Sequence, residues 1–440
     1  MTIIDKPQTK VIVFDDMPPE ANAMILALYS RDPQPVETHR SKVAEIGSDK
    51  FMAQYYVGYG HKSIGDCGST TICCENVSML AAKAIQNNRL YNGQEASTRY
   101  LDMKNQPVLN PLGTEIGRKI QEGWMSLYAR ALEVLVPHLT EKYPRLPEEK
   151  EVVYAKAIKA KAFDIARAFL PAGCTTYVGW HTTLRQAWDH INDLLFHPLD
   201  EVREMAKTVL SDLQAKYPNS FGFKRYDEQD RYYEVSSAAQ YRDPSPEPEF
   251  LVYSNNFDTS ELRRDGALAL LLRVRPQKTE LPAIFEELGT IQFRFPLDFG
   301  SFRDLQRHRS CSQEMPLLTT RLGFNKWYLD SLPADFRKEA LVAISKLRFD
   351  IEAIKDVYVR QYYVAMGFNV TCVLTTSLPS AVYIAELRSG QTVHPTLRPI
   401  AQEMGHALKR LIPYMTLHVD YSPDEWSTVR GKHDIVKKEE

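Results

Sequence analysis

The sequence predicts an α+β protein, richer in helix than in strand, in which one domain design is used twice. Three observations predict it. The chain resembles itself at long range, each half carries long runs of helical periodicity, and strand-like runs are short and confined to a few places. Residues 10–33 (KVIVFDDMPPEANAMILALYSRDP) and 250–276 (FLVYSNNFDTSELRRDGALALLLRVRP) each read as a short β-rich run, an acidic or Asn turn, and a helical pattern ending at Arg and Pro. Val11, Ile12 and Val13 are β-branched and predict the first strand.

The self-similarity continues without a gap. Residues 63–89 align on 283–309 at a constant offset of 220, which sets Asp66 on Glu286, Gln86 on Gln306 and Arg89 on Arg309. A third pair begins at His197 (HPLDEVREMA) and His394 (HPTLRPIAQEM), with Cys174 and Cys372 at similar distances before them. Helical spacing is kept by Ile116, Ile120, Trp124, Leu127 and Ala131, and again by Phe336, Leu341, Ile344, Leu347, Ile351 and Ile354. A further strand is expected near Phe293–Phe295. The Pro- and acid-rich stretch Tyr241–Phe250 is excluded from a helix interior and reads as linker. The expected organisation is a first copy at 10–220, a linker at 221–249, a second copy at 250–425 and a disordered tail at 426–440.

Composition narrows the function classes. The 440 residues are 44% apolar and 25% charged, with a formal net charge of −2. A generic nucleic-acid binder carries a basic excess, so a small anionic ligand held by a local Arg cluster is expected instead. The six Cys form no CxxC pair and no zinc spacing, so reduced thiols and no metal site are expected. The N-terminus lacks signal-peptide character and no apolar run is long enough for a bilayer, which predicts a cytoplasmic protein without membrane contact.

Three clusters can carry chemistry. Arg307-His308-Arg309 concentrates N–H donors suited to phosphate or an electron-rich ring, or is a basic patch on a helix end. Within Gln94–Tyr100, Ser97 and Arg99 alternate and could share one side of an extended loop as a phosphate-binding pair; the plainer reading is an ST turn. Gly60-His61-Lys62-Ser63 offers close backbone approach and two hydrogen-bonding side chains, or is a helix start with Ser63 as N-cap and Asp66 at N3. Cys311 beside His308 is expected to be structural. Walker A and GxGxxG patterns are absent.

In this order the clusters resemble the flavin-dependent thymidylate synthase family. That family's signature is Arg-His-Arg, seven residues, Ser-x-Arg, preceded by Gly-His-x-Ser and followed by Ala-Arg-x-x-Leu-Pro and a final Arg. The first copy has Gly60-His61-Lys62-Ser63, then Asn87-Asn88-Arg89 where Arg-His-Arg is expected. Seven residues later come Ser97-Thr98-Arg99, and then Ala166-Arg167-Ala168-Phe169-Leu170-Pro171. Its last Arg is missing near Ile191–Leu194. The second copy has the opposite losses: Arg307-His308-Arg309 and Arg388 are present, Ser-x-Arg becomes Thr319-Thr320-Arg321 shifted by two residues, and Gly-His-x-Ser is gone.

The resemblance implies two tandem thymidylate-synthase-complementing-like domains, each a small antiparallel sheet with long helices. It implies FAD-dependent methylation of dUMP to dTMP, with methylenetetrahydrofolate and NADPH as co-substrates. The complementary losses imply a composite site. Arg388 would act on the uracil base, and Arg307, His308, Arg309, His61, Ser63 and Ser78 on the flavin. Glu95, Ser97, Arg99, Arg167 and Arg89 would bind substrate. Because the family forms tetramers, a homodimer of the fused chain is expected. The same losses leave open a flavoenzyme acting on another pyrimidine nucleotide, or a degenerate nucleotide-binding protein.

Overall fold

The structure, a computed structural model, describes residues 12–241, 245–254, 256–315 and 317–432. In chain order the first copy holds α1 (Pro19–Tyr29), α2 (Val36–Ile46), β1 (Ser69–Ser78), α3 (Met79–Gln86), β2 (Asn92–Glu95), α4 (Glu115–Lys142), α5 (Glu151–Ala166), β3 (Thr175–Thr183), α6 (Leu184–Leu194) and α7 (Asp200–Lys216). Helix α8 (Asp227–Gln240) follows. The second copy holds β4 (Leu251–Tyr253), α9 (Gly266–Val274), β5 (Thr290–Asp298), α10 (Phe299–Leu305), β6 (Ser312–Glu314), α11 (Ala334–Glu352), β7 (Asn369–Ser377), α12 (Leu378–Arg388) and α13 (Arg398–Leu411). Helix exceeds strand, and the strands form two small antiparallel sheets of order β1-β3-β2 and β4-β5-β7-β6. The α+β expectation holds.

The chain divides into two compact units. The first comprises residues 1–72, 180–196 and 203–233. Within it, Ala21, Met24 and Ile25 of α1 pack on Val36 and Val43 of α2. Tyr56 and Trp188 close on Phe223, with ring centroids 5.1 and 4.9 Å away. The strand expected at Val11–Val13 is not formed by its described residues, Ile12 and Val13, and Val11 lies outside the described residues. Val13 is 91% exposed, so β-branching there finds no partner strand to reward it.

The second unit comprises residues 73–179, 197–202 and 234–440. Its core is built on two long helices and the larger sheet. Thr114 caps α4 by accepting from Gly117 N at 3.2 Å. Ile120, Trp124, Leu127, Ala131, Leu135 and Leu139 then bury one face. In α11 the buried stripe is Phe336, Ala340, Ile344, Leu347 and Ile351. Each buried Leu, Ile or Phe among them contributes about 1.5–3 kcal/mol. Leu341 stays 47% exposed and Ile354 lies beyond the helix end, so the expected stripe is narrower than its sequence pattern. Strand β5 alternates, with Ile291, Phe293, Phe295 and Leu297 buried, and pairs with β7 from Thr290↔Ser377 to Asp298↔Asn369.

The two copies meet about a local pseudo-two-fold axis. Ala172 N–H donates to Val364 O at 2.9 Å and Met366 N–H to Leu170 O at 2.8 Å. Gly173 N–H donates to Tyr362 O at 2.8 Å and Gly367 N–H to Ala168 O at 2.9 Å. Each pair exchanges partners under an offset of 194 residues, and Pro171 bridges Ala365, its own equivalent. This is the isologous contact expected between two subunits, made here within one chain. A Cβ on Gly173 would stand 2.8 Å from Tyr362 O, so the close approach requires glycine. The same offset sets Cys174 on Phe368 and Cys372 on Val178, which corrects the cysteine correspondence drawn from the sequence. Buried thiols substitute for apolar side chains and carry no register of their own.

Ordered structure runs past the expected start of the tail. Trp426 stacks on Tyr143 with centroids 4.8 Å apart, and Arg430 bonds to Asp164. Residues 433–440 of the expected tail lie outside the described residues. The expected linker also contains α8.

Candidate functional site

Helices α3 and α10 start at equivalent residues and carry the site. Ser78 accepts from Ala81 N at 3.0 Å and Asp298 accepts from Ser301 N at 3.0 Å, both N-caps at the 220-residue offset. Past its C-terminal end, α10 presents Arg307, His308 and Arg309, while α3 presents Asn87, Asn88 and Arg89. Arg307, Arg309 and Arg89 are exposed, and His308 is buried.

Arg388, the last residue of α12, donates from Nε to His308 Nε2 at 2.7 Å and from Nη2 to Asp304 O at 2.6 Å. Its Nη1 makes no hydrogen bond among the described residues. His308 is therefore neutral with Nε2 as acceptor; burial, reinforced by Arg388, pushes its pKa down to about 3. The two signature residues that the sequence set 80 positions apart are in direct contact.

Asp304 is where the copies converge electrostatically. Burial alone would raise its pKa, but Arg167, Arg99, Arg388 and Arg307 together hold it below the ordinary value. Two of these guanidinium groups come from the first copy and two from the second. Four cations around one carboxylate leave an excess of positive charge suited to an anionic ligand.

The first copy's motif is fastened to the second by buried ion pairs. Arg303 Nη2 bonds to Glu95 Oε1 and donates to Ala96 O at 3.1 Å, and Gln86 Nε2 donates to Glu95 Oε2 at 2.7 Å. The Arg303 and Glu95 side chains are only 10% and 4% exposed. Arg309 bonds to Tyr91 O and to Asn92 Oδ1. Arg99 is gripped by Asp164 through Nε at 2.8 Å and Nη2 at 2.9 Å, and Arg430 bonds the same carboxylate. Burial opposes ionisation of Asp164, yet Arg99 and Arg430 hold it well below the carboxylate range.

Ser97 Oγ accepts from Arg99 N at 3.3 Å, the ST turn that was the plainer reading. Arg167 is buried and donates from Nη2 to Ser301 Oγ at 3.2 Å, while its Nε has no partner. Ser78 is fully buried and donates to Glu201 Oε2 at 2.6 Å, so its hydroxyl faces no cavity. His61 and Ser63 belong to the first unit, whereas all other expected site residues belong to the second. Both are exposed; His61 occupies the N-cap position without a side-chain cap, and Ser63 lies inside the short helix Lys62–Gly65. The capping box expected at Ser63 and Asp66 is therefore not formed, because the helix begins two residues earlier.

A cavity of ≈ 500 Å³ lies against both copies' motif residues: Asn87, Asn88 and Arg89 on one wall, His308 and Arg309 on another. Sequence reasoning missed Asp164, Arg303, Asp304 and Arg430. Arg303 had a signal, since it falls on Lys83 at the 220-residue offset and keeps a cation there. No helix among the described residues is long and apolar enough to cross a membrane. Among the described residues no His/Cys/Asp/Glu group could hold a metal ion.

Comparison with known proteins agrees with the motif reading. Residues 13–219 match the family described as thymidylate synthase complementing protein. Proteins named UPF0159 are similar over both copies. That of Chlamydia muridarum is 24% identical, covering 86% of this chain and 83% of its own. That of Chlamydia pneumoniae is 25% identical, covering 88% and 82%. That of Thermoplasma acidophilum is 24% identical, covering 83% and 87%. Among solved structures, the flavin-dependent thymidylate synthase ThyX of Helicobacter pylori, complexed with FAD and dUMP, is 13% identical with a TM-score of 0.27. It aligns over 47% of this chain and 96% of its own.

Proposed function

We propose, from the premise that residues 13–219 belong to the thymidylate synthase complementing family, that this chain is a flavin-dependent thymidylate synthase with one composite site. The observation that carries the reading is the contact of Arg388 with His308, set around Asp304 within electrostatic reach of Arg99 and Arg167 of the other copy. The surviving elements of two half-degraded motifs converge, which random loss does not predict.

The residues present fit a flavin. The ≈ 500 Å³ cavity is in the range of small-molecule sites. Arg89 and Arg309 on its lining can meet a pyrophosphate, and the buried Oε1 atoms of Gln306 and Gln313, also on its lining, have no donor. When bound, the flavin supplies the redox chemistry, with NADPH as reductant and methylenetetrahydrofolate as carbon source.

The chain's own residues bind, orient and hold charge. Neutral His308 fixes the Arg388 guanidinium through Nε, leaving Nη1 to stabilise negative charge developing on the uracil ring. Arg307, exposed and within electrostatic reach of Asp304, is placed to meet a phosphate of the flavin. Arg99 is anchored by Asp164, so it serves through its charge and its fixed position, while the Ser97 hydroxyl keeps its proton to donate. Arg303 holds Glu95 and the Ser97 loop in register with the second copy. Assembly as a homodimer of fused chains follows from the family's tetramers.

Tritium release from 5-labelled dUMP tests the reading. Release that requires FAD, methylenetetrahydrofolate and NADPH together supports it. A colourless protein that takes up no added FAD favours a degenerate nucleotide-binding protein, and flavin binding without release favours another pyrimidine nucleotide.

A further inference from the structure

We propose that helix α8, which joins the two copies and lies beyond the family match, is a ligand-binding element of the flavin cavity. The inference rests on the functional reading above and adds residues that the motif does not contain. The C-terminal end of α8 forms one wall of the ≈ 500 Å³ cavity through Ser236, Ala239, Gln240 and Tyr241. The opposing walls are Arg89 and Asn88 of the first copy and His308 and Arg309 of the second. Any ligand there touches three parts of the chain at once.

The lining defines the ligand chemistry. Gln306 donates from Nε2 to Lys83 O at 3.0 Å, and Gln313 Nε2 donates to His308 O. Each amide nitrogen donates to a main-chain carbonyl, and each amide oxygen is buried without a donor. Gln306 is only 7% exposed, so water reaches its oxygen poorly. Two orphaned acceptors call for a ligand bearing N–H or O–H groups. Arg89 and Arg309 add positive charge at the mouth, and Lys83 adds a buried amine bonded to Met315 O at 3.0 Å. An anionic ligand with a polar ring system and hydroxyls satisfies all of these, and FAD is such a molecule.

Tyr241 supplies the aromatic face. Its ring stands edge-on to His197 with centroids 4.2 Å apart, and Lys83 Nζ lies 5.9 Å from its centroid. The ring is thus held on one side and half-exposed toward the cavity. Gln240 is exposed at the same helix end, where its amide can meet a ribityl or phosphate oxygen.

The test is FAD titration of the full chain, read by flavin fluorescence and by the flavin absorption band. Tyr241→Ala is expected to weaken FAD about tenfold or more and to shift the bound flavin's spectrum, while Tyr241→Phe stays within about threefold of the parent. Gln240→Ala, at an exposed position that leaves folding intact, is expected to weaken FAD about threefold to tenfold. If the parent binds FAD and both alanine variants match its affinity and spectrum, the inference is overturned and the functional reading stands. If the parent binds no FAD, both fall together.

Discussion

Replacing Asp164 by Asn should destabilise the second unit far more than a surface change would. The Asp164 side chain is 3% exposed and faces two guanidinium groups, Arg99 at 16% and Arg430 at 14% exposure. Asn keeps one acceptor oxygen and loses the charge, so Arg99 retains one of its two bonds and both cations lose their counter-ion. Breaking a buried pair from one side costs about 3–5 kcal/mol, and the surviving hydrogen bond argues for the lower end, about 3 kcal/mol. That is roughly a hundredfold in the unfolding constant. Urea unfolding followed by tryptophan fluorescence reads it, with Trp426 stacked on Tyr143 as a local reporter. The midpoint should fall by about 1 M or more. Arg430→Gln should cost less, because Arg99 still neutralises the carboxylate. The folded pKa of Asp164 lies far below its unfolded value, so its contribution is present above the ordinary carboxylate range and lost only in strong acid. The deficit of the Asn variant should therefore be flat between about pH 5 and 8. A deficit under about 0.5 kcal/mol would refute the reasoning.

Two further outcomes concern the site directly. His308, held near a pKa of about 3 by burial and Arg388, and His394, pushed well down by burial, stay neutral in the folded chain while the unfolded chain protonates below about pH 6.5. The unfolded state then binds more protons, so stability falls with pH by up to about 2.7 kcal/mol per unit below about pH 6; His308→Gln should remove about half of that slope in urea melts at several pH values. Arg388→Ala should abolish turnover while largely sparing FAD affinity, whereas Arg307→Ala should lower flavin retention on gel filtration; identical behaviour of both variants and the parent would break the assignment.

Much of the architecture was readable because local signals repeat. The gapless offset of 220 places Ser78 and Asp298, two independent N-caps, at equivalent points, and helices α3 and α10 follow. The long stripes of α4 and α11 are helical periodicity made visible. What was not readable is non-local. Asp164 sits within an ordinary helical pattern and gains meaning only from Arg430, 266 residues away. Asp304 looks like a surface helix residue until Arg99 and Arg167 arrive from the other copy. The ST turn at Ser97 was visible as local chemistry, whereas the grip of Arg303 on Glu95 depends on a contact 208 residues long. The register of β3 and β7 was missed because Cys174 and Cys372 fill core positions that any small apolar residue could fill.

One nucleotide site per chain, assembled from both copies, is the feature on which the proposed function turns. Calorimetric titration of dUMP into the FAD-loaded chain measures this for the parent, for Ser97→Ala in the first copy and for Arg388→Gln in the second. One dUMP per chain and a loss of affinity of about fivefold or more in each variant are expected. Two equivalent sites per chain, or an affinity untouched by the change in either copy, would contradict it.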